Sequence, residues 1–457
     1  MRKMIAMSLV ATFALTGLQA ATNAELEARV ADLEKKLSKT DKTLKEVKIH
    51  DAFDNVKFGI DFRNAVDVLE YKDNDTGETT SNNSLLTSRL YLTMAAAPME
   101  GLIFKGKLAI YSTWGAHMYD ESMGHKDWSA SSKASDTVMR VKEAYFVYST
   151  DVGEQPVSLS IGRRPSTEGF LANYRENEDN PGSPLAHITN MEVNAVMVKF
   201  GLDRFLSGAY TKLVYGRAHT GEQEGVYGGV AGVKPWDPPY AEIDSDDENV
   251  DFFVTVGDAY NDGTYQIMYQ WAHIFNTKGQ KYNDPSTKKA AAGTADLFSI
   301  ALKIDGIGDG ISDFLDDTTV FISGAYANYN ADNGYQLLGS ENGGSQDGTS
   351  IWIGAIMPDM ITDSGRFGIE YNHGSKYWTP MTWAEDTAIG SKISVRGDAY
   401  EAYWNFDLFG VKYLPSQVRY TYAQHDYTPN VNCAGWVDSE EVDITAQDLR
   451  FSVTYRY

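Results

Sequence analysis

The chain has 457 residues, with 63 Asp and Glu against 40 Lys and Arg, a net charge of −23, one Cys, 28 Tyr and 40 Gly. The single Cys433 excludes an intramolecular disulfide, and eight His scattered without ligand spacing support no Cys/His metal cluster. No metal, cofactor or nucleic-acid partner is therefore expected, and length alone leaves open both a set of soluble domains and one large barrel.

At the start, "MRKMIAMSLVATFALTGLQA" has a charged opening at Arg2 and Lys3, an apolar run from Met4 to Leu18 and a small-residue end at Ala20. A run of about 15 residues is shorter than the roughly 20 of a transmembrane helix, so residues 1–20 are expected to be a cleaved export signal. Residues 21–50 then change to a helical pattern. Leu26, Val30, Leu33, Leu37, Thr40, Leu44 and Val47 recur at alternating steps of four and three, the spacing of a coiled-coil seam. Two readings stay open, a self-associating periplasmic stalk and a surface-packed amphipathic helix.

From residue 51 onward the pattern is that of strands. In "VKFGIDFR", Val56, Phe58, Ile60 and Phe62 face one way and Lys57, Asp61 and Arg63 the other. "LFSIALKI", "RFGIEYN" and "QVRYTYA" repeat the alternation; "VMRVKEAYFVY" and "VRGDAYEAYWNF" alternate poorly and are expected at a subunit contact or against a packed loop. Sixteen such stretches are found, at 56–66, 85–97, 101–112, 138–150, 155–162, 191–201, 207–217, 249–258, 263–274, 295–304, 317–328, 349–358, 365–373, 394–406, 413–423 and 446–457. Their connections alternate short and long, and a further hairpin in 113–137 or 218–248 would make eighteen. A soluble sandwich gives no reason for that alternation, whereas a transmembrane antiparallel barrel does, with short turns at one rim, long loops at the other and an even strand number. The expected fold is all-β, a barrel over 51–457 preceded by the short helix. An Arg on the lipid face at mid-bilayer costs roughly 2–4 kcal/mol, so Arg419 and Arg450 are expected to face the lumen.

The last segment, "DLRFSVTYRY", places Phe451, Val453, Tyr455 and Tyr457 on one face and Arg450, Ser452, Thr454 and Arg456 on the other. With this ending and the loop alternation, the chain resembles the Gram-negative outer-membrane porins. The resemblance implies that "FSVTYRY" is the signal read by the barrel-assembly machinery. It also implies an outer-membrane location among lipid and lipopolysaccharide, with the helix in the periplasm, and a homotrimer passing small hydrophilic solutes. The "PEFGG" stretch of many general porins is missing, so the third long loop, Arg163 to Asn190, is assigned as an infolded constriction by its order alone.

Oriented by their apolar faces, the strands put Arg63, Arg89, Lys105, Lys107, Arg366, Arg419 and Arg450 in the lumen as a basic wall, with Asp61, Asp251, Glu370 and Asp448 among its acids, while the third loop carries Glu168, Glu176, Glu178 and Asp179. Across a narrow aqueous gap the two would set up a transverse field; the alternative is a set of simply solvated charges. The acidic run Ala241–Asp251 is expected as solvated loop, and "YWTPMTW" (377–383) as packing rather than a sugar-stacking track. No "GxSxG" or Ser–His–acid grouping is present, so no enzyme is expected. Three functions remain, a passive diffusion channel, a channel selective for carbohydrates or organic acids, and a non-conducting adhesin or anchor.

Overall fold

In the computed structural model the described residues are 56–457, apart from 115–138, 179, 183, 220–248, 285–289, 309, 363, 383–385 and 430–437. The expected export signal, the heptad helix with its seam, Asp179 and most of both segments in which a further hairpin was considered lie outside them.

Sixteen strands close one antiparallel barrel. They are β1 (Lys57–Asp73), β2 (Thr79–Met99), β3 (Leu102–Thr113), β4 (Met139–Val152), β5 (Gln155–Arg164), β6 (Val193–Gly201), β7 (Tyr210–His219) and β8 (Val250–Asn261). The circuit continues through β9 (Tyr265–Ile274), β10 (Gly293–Asp305), β11 (Thr319–Ala331), β12 (Ser345–Pro358), β13 (Arg366–Gly374), β14 (Gly397–Asp407), β15 (Pro415–Tyr427) and β16 (Glu441–Arg456). Each pairs with its sequence neighbours, and β16 returns to β1 with Tyr455 opposite Phe62 and Arg450 opposite Asp67. The closed circuit leaves no barrel strand with an unpaired edge.

Polarity across β1, β15 and β16 is reversed from that of a water-soluble barrel. On the outer surface Phe58 is 71 % and Tyr455 45 % exposed, whereas Arg419 and Arg450, pointing inward, are 1 % and 4 % exposed. Strand alternation produces this directly, since the apolar positions of "VKFGIDFR" and "DLRFSVTYRY" all fall outside.

Two expectations need correction. The first connection, expected as a long loop over 67–84, is a turn at 74–78, because β1 and β2 run on past their apolar portions as a polar ladder. The Asp73 carboxylate accepts from the Asp75 and Thr76 N–H groups at 2.9 and 3.0 Å, and Gly77 takes the positive φ that closes the turn. In addition, the turn at 306–318, on the short-turn rim, is long and carries the helix Asp313–Asp316. The poor alternation of "VMRVKEAYFVY" has a local cause, a register shift at which Lys107 pairs with Glu143 and Leu108 with Val141, so that Lys142 and Glu143 are both buried.

Candidate functional site

The lumen is partly filled by two loops, 165–192 between β5 and β6 and 375–396 between β13 and β14. The inner faces of β8 to β12 explain why. Phe252, Val254, Val256, Leu297, Phe321 and Trp352 point inward and are buried, an apolar lining that needs apolar cover. Phe170, Leu171, Leu185 and Ile188 of the third loop supply it with Trp378, Met381 and Ile393 of the seventh, as one hydrophobic cluster.

Polar contacts fix the third loop across the barrel. The Leu185 N–H donates to Gln270 Oε1 at 2.7 Å, and His187 bonds the hydroxyls of Ser323 and Ser350 at 2.8 and 2.9 Å. The Gln417 amide donates to the Arg175 carbonyl at 2.6 Å. Burial pushes the His187 imidazole down to about 3. The two loops also meet each other, Asn190 N–H donating to the Met381 carbonyl at 2.7 Å and Met381 N–H to that of Ile188 at 3.1 Å.

Tyr377, Trp378 and Met381 of "YWTPMTW" belong to this packing, and Trp383 lies outside the described residues. Trp378 is fully buried, its indole donates to the Ile393 carbonyl at 2.8 Å and its edge meets the His187 ring at 5.6 Å between centroids. The Trp378 ring is therefore not available for stacking sugars. β14, the other poorly alternating strand, faces the same loop: Lys392 bonds Glu370 at 2.7 Å and also Glu401.

The basic residues expected on the wall divide into two groups. Arg63, Arg89, Arg419 and Arg450 come together, but around the seventh loop rather than the third. Arg63 bonds both carboxylate oxygens of Asp386, Arg89 reaches Oδ2 at 2.8 Å and Arg450 reaches Oδ1 at 3.2 Å. Arg419 and Arg450 donate to the Asp386 carbonyl at 3.0 and 3.1 Å. Burial alone would raise the Asp386 carboxyl, yet Arg63, Arg89 and Arg450 hold it well below the ordinary carboxylate range. These four are thus not an open wall, which corrects the expectation. Arg366 opens β13 in register with Pro358 and Asn405, outside the cluster.

Lys105 and Lys107 face open space. A cavity of about 640 Å³ is lined by Lys57, Lys105, Lys107, Arg164 and Lys212 with Glu143, and by Glu168 and Glu178 of the third loop. Beside it, a cavity of about 220 Å³ is lined by Asp61, Arg89, Lys107 and Arg456 with Glu168, Glu176 and Glu178. Lys107 pairs with Glu143 at 2.7 Å, Arg456 with Glu178 at 3.1 Å, and Glu176 with Arg175 of its own loop at 2.9 Å. Burial raises the Glu178 carboxyl, Arg456 only partly opposing it; burial also acts to raise Glu176, but Arg175, Arg419 and Arg89 together outweigh it and lower that carboxyl.

Asp251, read from the sequence as lumenal, lies on the outer surface, where its carboxylate takes Arg217 at 2.7 Å and the Tyr215 hydroxyl at 2.9 Å. Both faces of β8 are apolar, so alternation could not orient it. Phe451, Val453, Tyr455 and Tyr457 lie on the outer face, none of them buried. Asp386, Lys392, Glu401 and His187 were missed, since isolated charges in loops and strands have no spacing signal. The inward apolar run of β8 was the available clue to what fills the barrel.

A family model described as "Protein of unknown function (DUF3373)" matches residues 79–455. The comparison with curated proteins finds no match. Among solved structures the chain is similar to OprB of Pseudomonas putida at high pH, at 12% identity over 91% of this chain and 97% of that one, with a TM-score of 0.48. For the anion-selective porin from Comamonas acidovorans the figures are 12%, 88%, 100% and 0.48. For the outer-membrane expressed OmpT of Vibrio cholerae they are 13%, 88%, 97% and 0.45. At TM-scores below 0.5 these likenesses carry no argument about function.

Proposed function

The chain belongs to the DUF3373 family, and for this member of it we propose a water-filled channel in an outer membrane that passes ions and small hydrophilic solutes. The observation that carries this reading is the reversed polarity of a closed barrel. Exposed Phe, Ile, Leu and Tyr side chains on the outer faces of the described strands would be a costly interface with water and suit hydrocarbon, while charges inside need the lumen. Closure also satisfies the backbone within lipid.

The two inward loops favour a narrow, selective channel over an open sieve. Loops 165–192 and 375–396 cover the apolar lining of β8 to β12, and the larger cavity lies beside β1 to β5 and β7. Its lining carries five basic side chains against three acids, so anions are the preferred class. Organic acids among the candidate solutes fit that sign better than neutral sugars.

The test is single-channel recording of refolded protein in a planar bilayer under a KCl gradient. Discrete conductance steps and a reversal potential displaced toward that of chloride are expected. Lys105→Glu combined with Lys107→Glu should move it toward that of potassium. Silence from demonstrably folded, inserted protein would overturn the channel, and an unmoved reversal potential would remove the cavity from the permeation path.

A further inference from the structure

We propose that Arg63, Arg89 and Arg450, with Arg419 beside them on the Asp386 backbone carbonyl, form a carboxylate-binding site of the lumen, which the chain's own Asp386 occupies as an internal ligand and for which a solute carboxylate anion competes. The competition rests on the channel reading above, because it needs solutes to enter the lumen.

The cradle is built as a carboxylate site is built. Arg63 meets both oxygens of Asp386 as a fork, and Arg89 and Arg450 add one donor each. All four guanidinium groups stand on strands, β1, β2, β15 and β16, so the receptor is rigid wall while the occupant belongs to a loop. Wall acids stand behind them, Asp61 on Arg89 at 3.0 Å, Asp67 on Arg450 and Glu401 at 3.9 Å from Arg419. Those pairs neutralise much of the cluster from the back, so it can exist without Asp386.

Nor is Asp386 needed to anchor its loop. Lys392 is inserted between Glu370 and Glu401, and Arg396 donates to the Trp378 carbonyl at 3.0 Å and to that of Thr428 at 3.1 Å. Met381 is tied to the third loop. The Asp386 side chain keeps 21 % of its surface exposed while those of the four arginines keep 10 % or less, so this carboxylate is the solvent-facing member of the cluster. Arg89 also lines the 220 Å³ cavity, so one member of the cradle borders that space.

Melting of the refolded barrel in detergent tests this without requiring conductance. Asp386→Ala should melt roughly 2 °C higher in saturating sodium acetate than in sodium chloride of equal ionic strength. Wild type, its site already filled, should respond less. Adding Arg63→Gln to Asp386→Ala should abolish the response. If Asp386→Ala refolds only in acetate, that recovery is the same signal; if it refolds in neither, Asp386→Asn is measured in its place. Equal melting in the two salts, or an acetate response that survives Arg63→Gln, overturns the proposal. A silent bilayer beside an acetate response would instead reject the channel and keep the site.

Discussion

His187 shows how one buried side chain writes a pH dependence into the whole barrel. Its ring is neutral in the folded state, between two serine hydroxyls, with its imidazole pushed down to about 3 by burial. The unfolded chain takes up a proton near pH 6.5 and the folded one does not, so stability falls as pH drops below that value and levels off near 3. Between pH 7 and 5 the loss should be about 2 kcal/mol from this residue alone. Denaturant titrations of wild type and His187→Gln at the two pH values check it, the variant showing the flatter dependence. Lys392 is the second sensitive residue. Lys392→Met leaves Glu370 buried against only the Trp352 indole and its neighbours, and should destabilise the barrel by roughly 3–5 kcal/mol. Adding Glu370→Gln should recover part of that in the same titration.

Among the elements, β16 separates the two faces of the wall most cleanly. Leu449, Phe451 and Tyr455 are exposed outside, while Asp448, Arg450, Ser452 and Thr454 are buried inside. If the outer face meets lipid, Phe451→Arg should cost roughly 2–4 kcal/mol in lipid vesicles. The same variant in a soluble barrel would be tolerated at an exposed position, so refolding into vesicles discriminates the two. β8 is an element that alternation cannot orient. An inner face covered by apolar loop side chains becomes apolar itself, and a strand apolar on both faces carries no orientation signal. Asp251 was misoriented for that reason. The fold of this half was legible as strands but not as in and out.

For the molecule as a whole, the two loops decide how much of the barrel is open. Leu171, Leu185 and Ile188 are fully buried inside a structure whose outer surface is apolar, so the barrel holds its hydrophobic core where a simple pore holds water. Replacing the segment between Gly169 and Leu185 with a short Gly/Ser linker should raise single-channel conductance severalfold and weaken the ion preference. It should also expose the inner faces of Phe252 and Leu297 and lower the melting temperature. A conductance unchanged by this replacement would mean that solutes bypass the third loop.

The sequence by itself determined an antiparallel run of strands, with sixteen expected and eighteen left open, their order and the inward direction of Arg63, Arg89, Lys105, Lys107, Arg419 and Arg450, because period-two alternation and nearest-neighbour pairing are local properties of the chain. It also singled out the third loop and its acids, Glu168, Glu176 and Glu178. Only the tertiary structure decided which charges meet. Asp386 lies hundreds of residues from Arg63 and Arg89, and the seventh loop reaches them only because closure brings β1 and β2 beside β15 and β16. Side-chain pairing across a lumen depends on where loops fold in three dimensions, and no spacing along the chain encodes that distance.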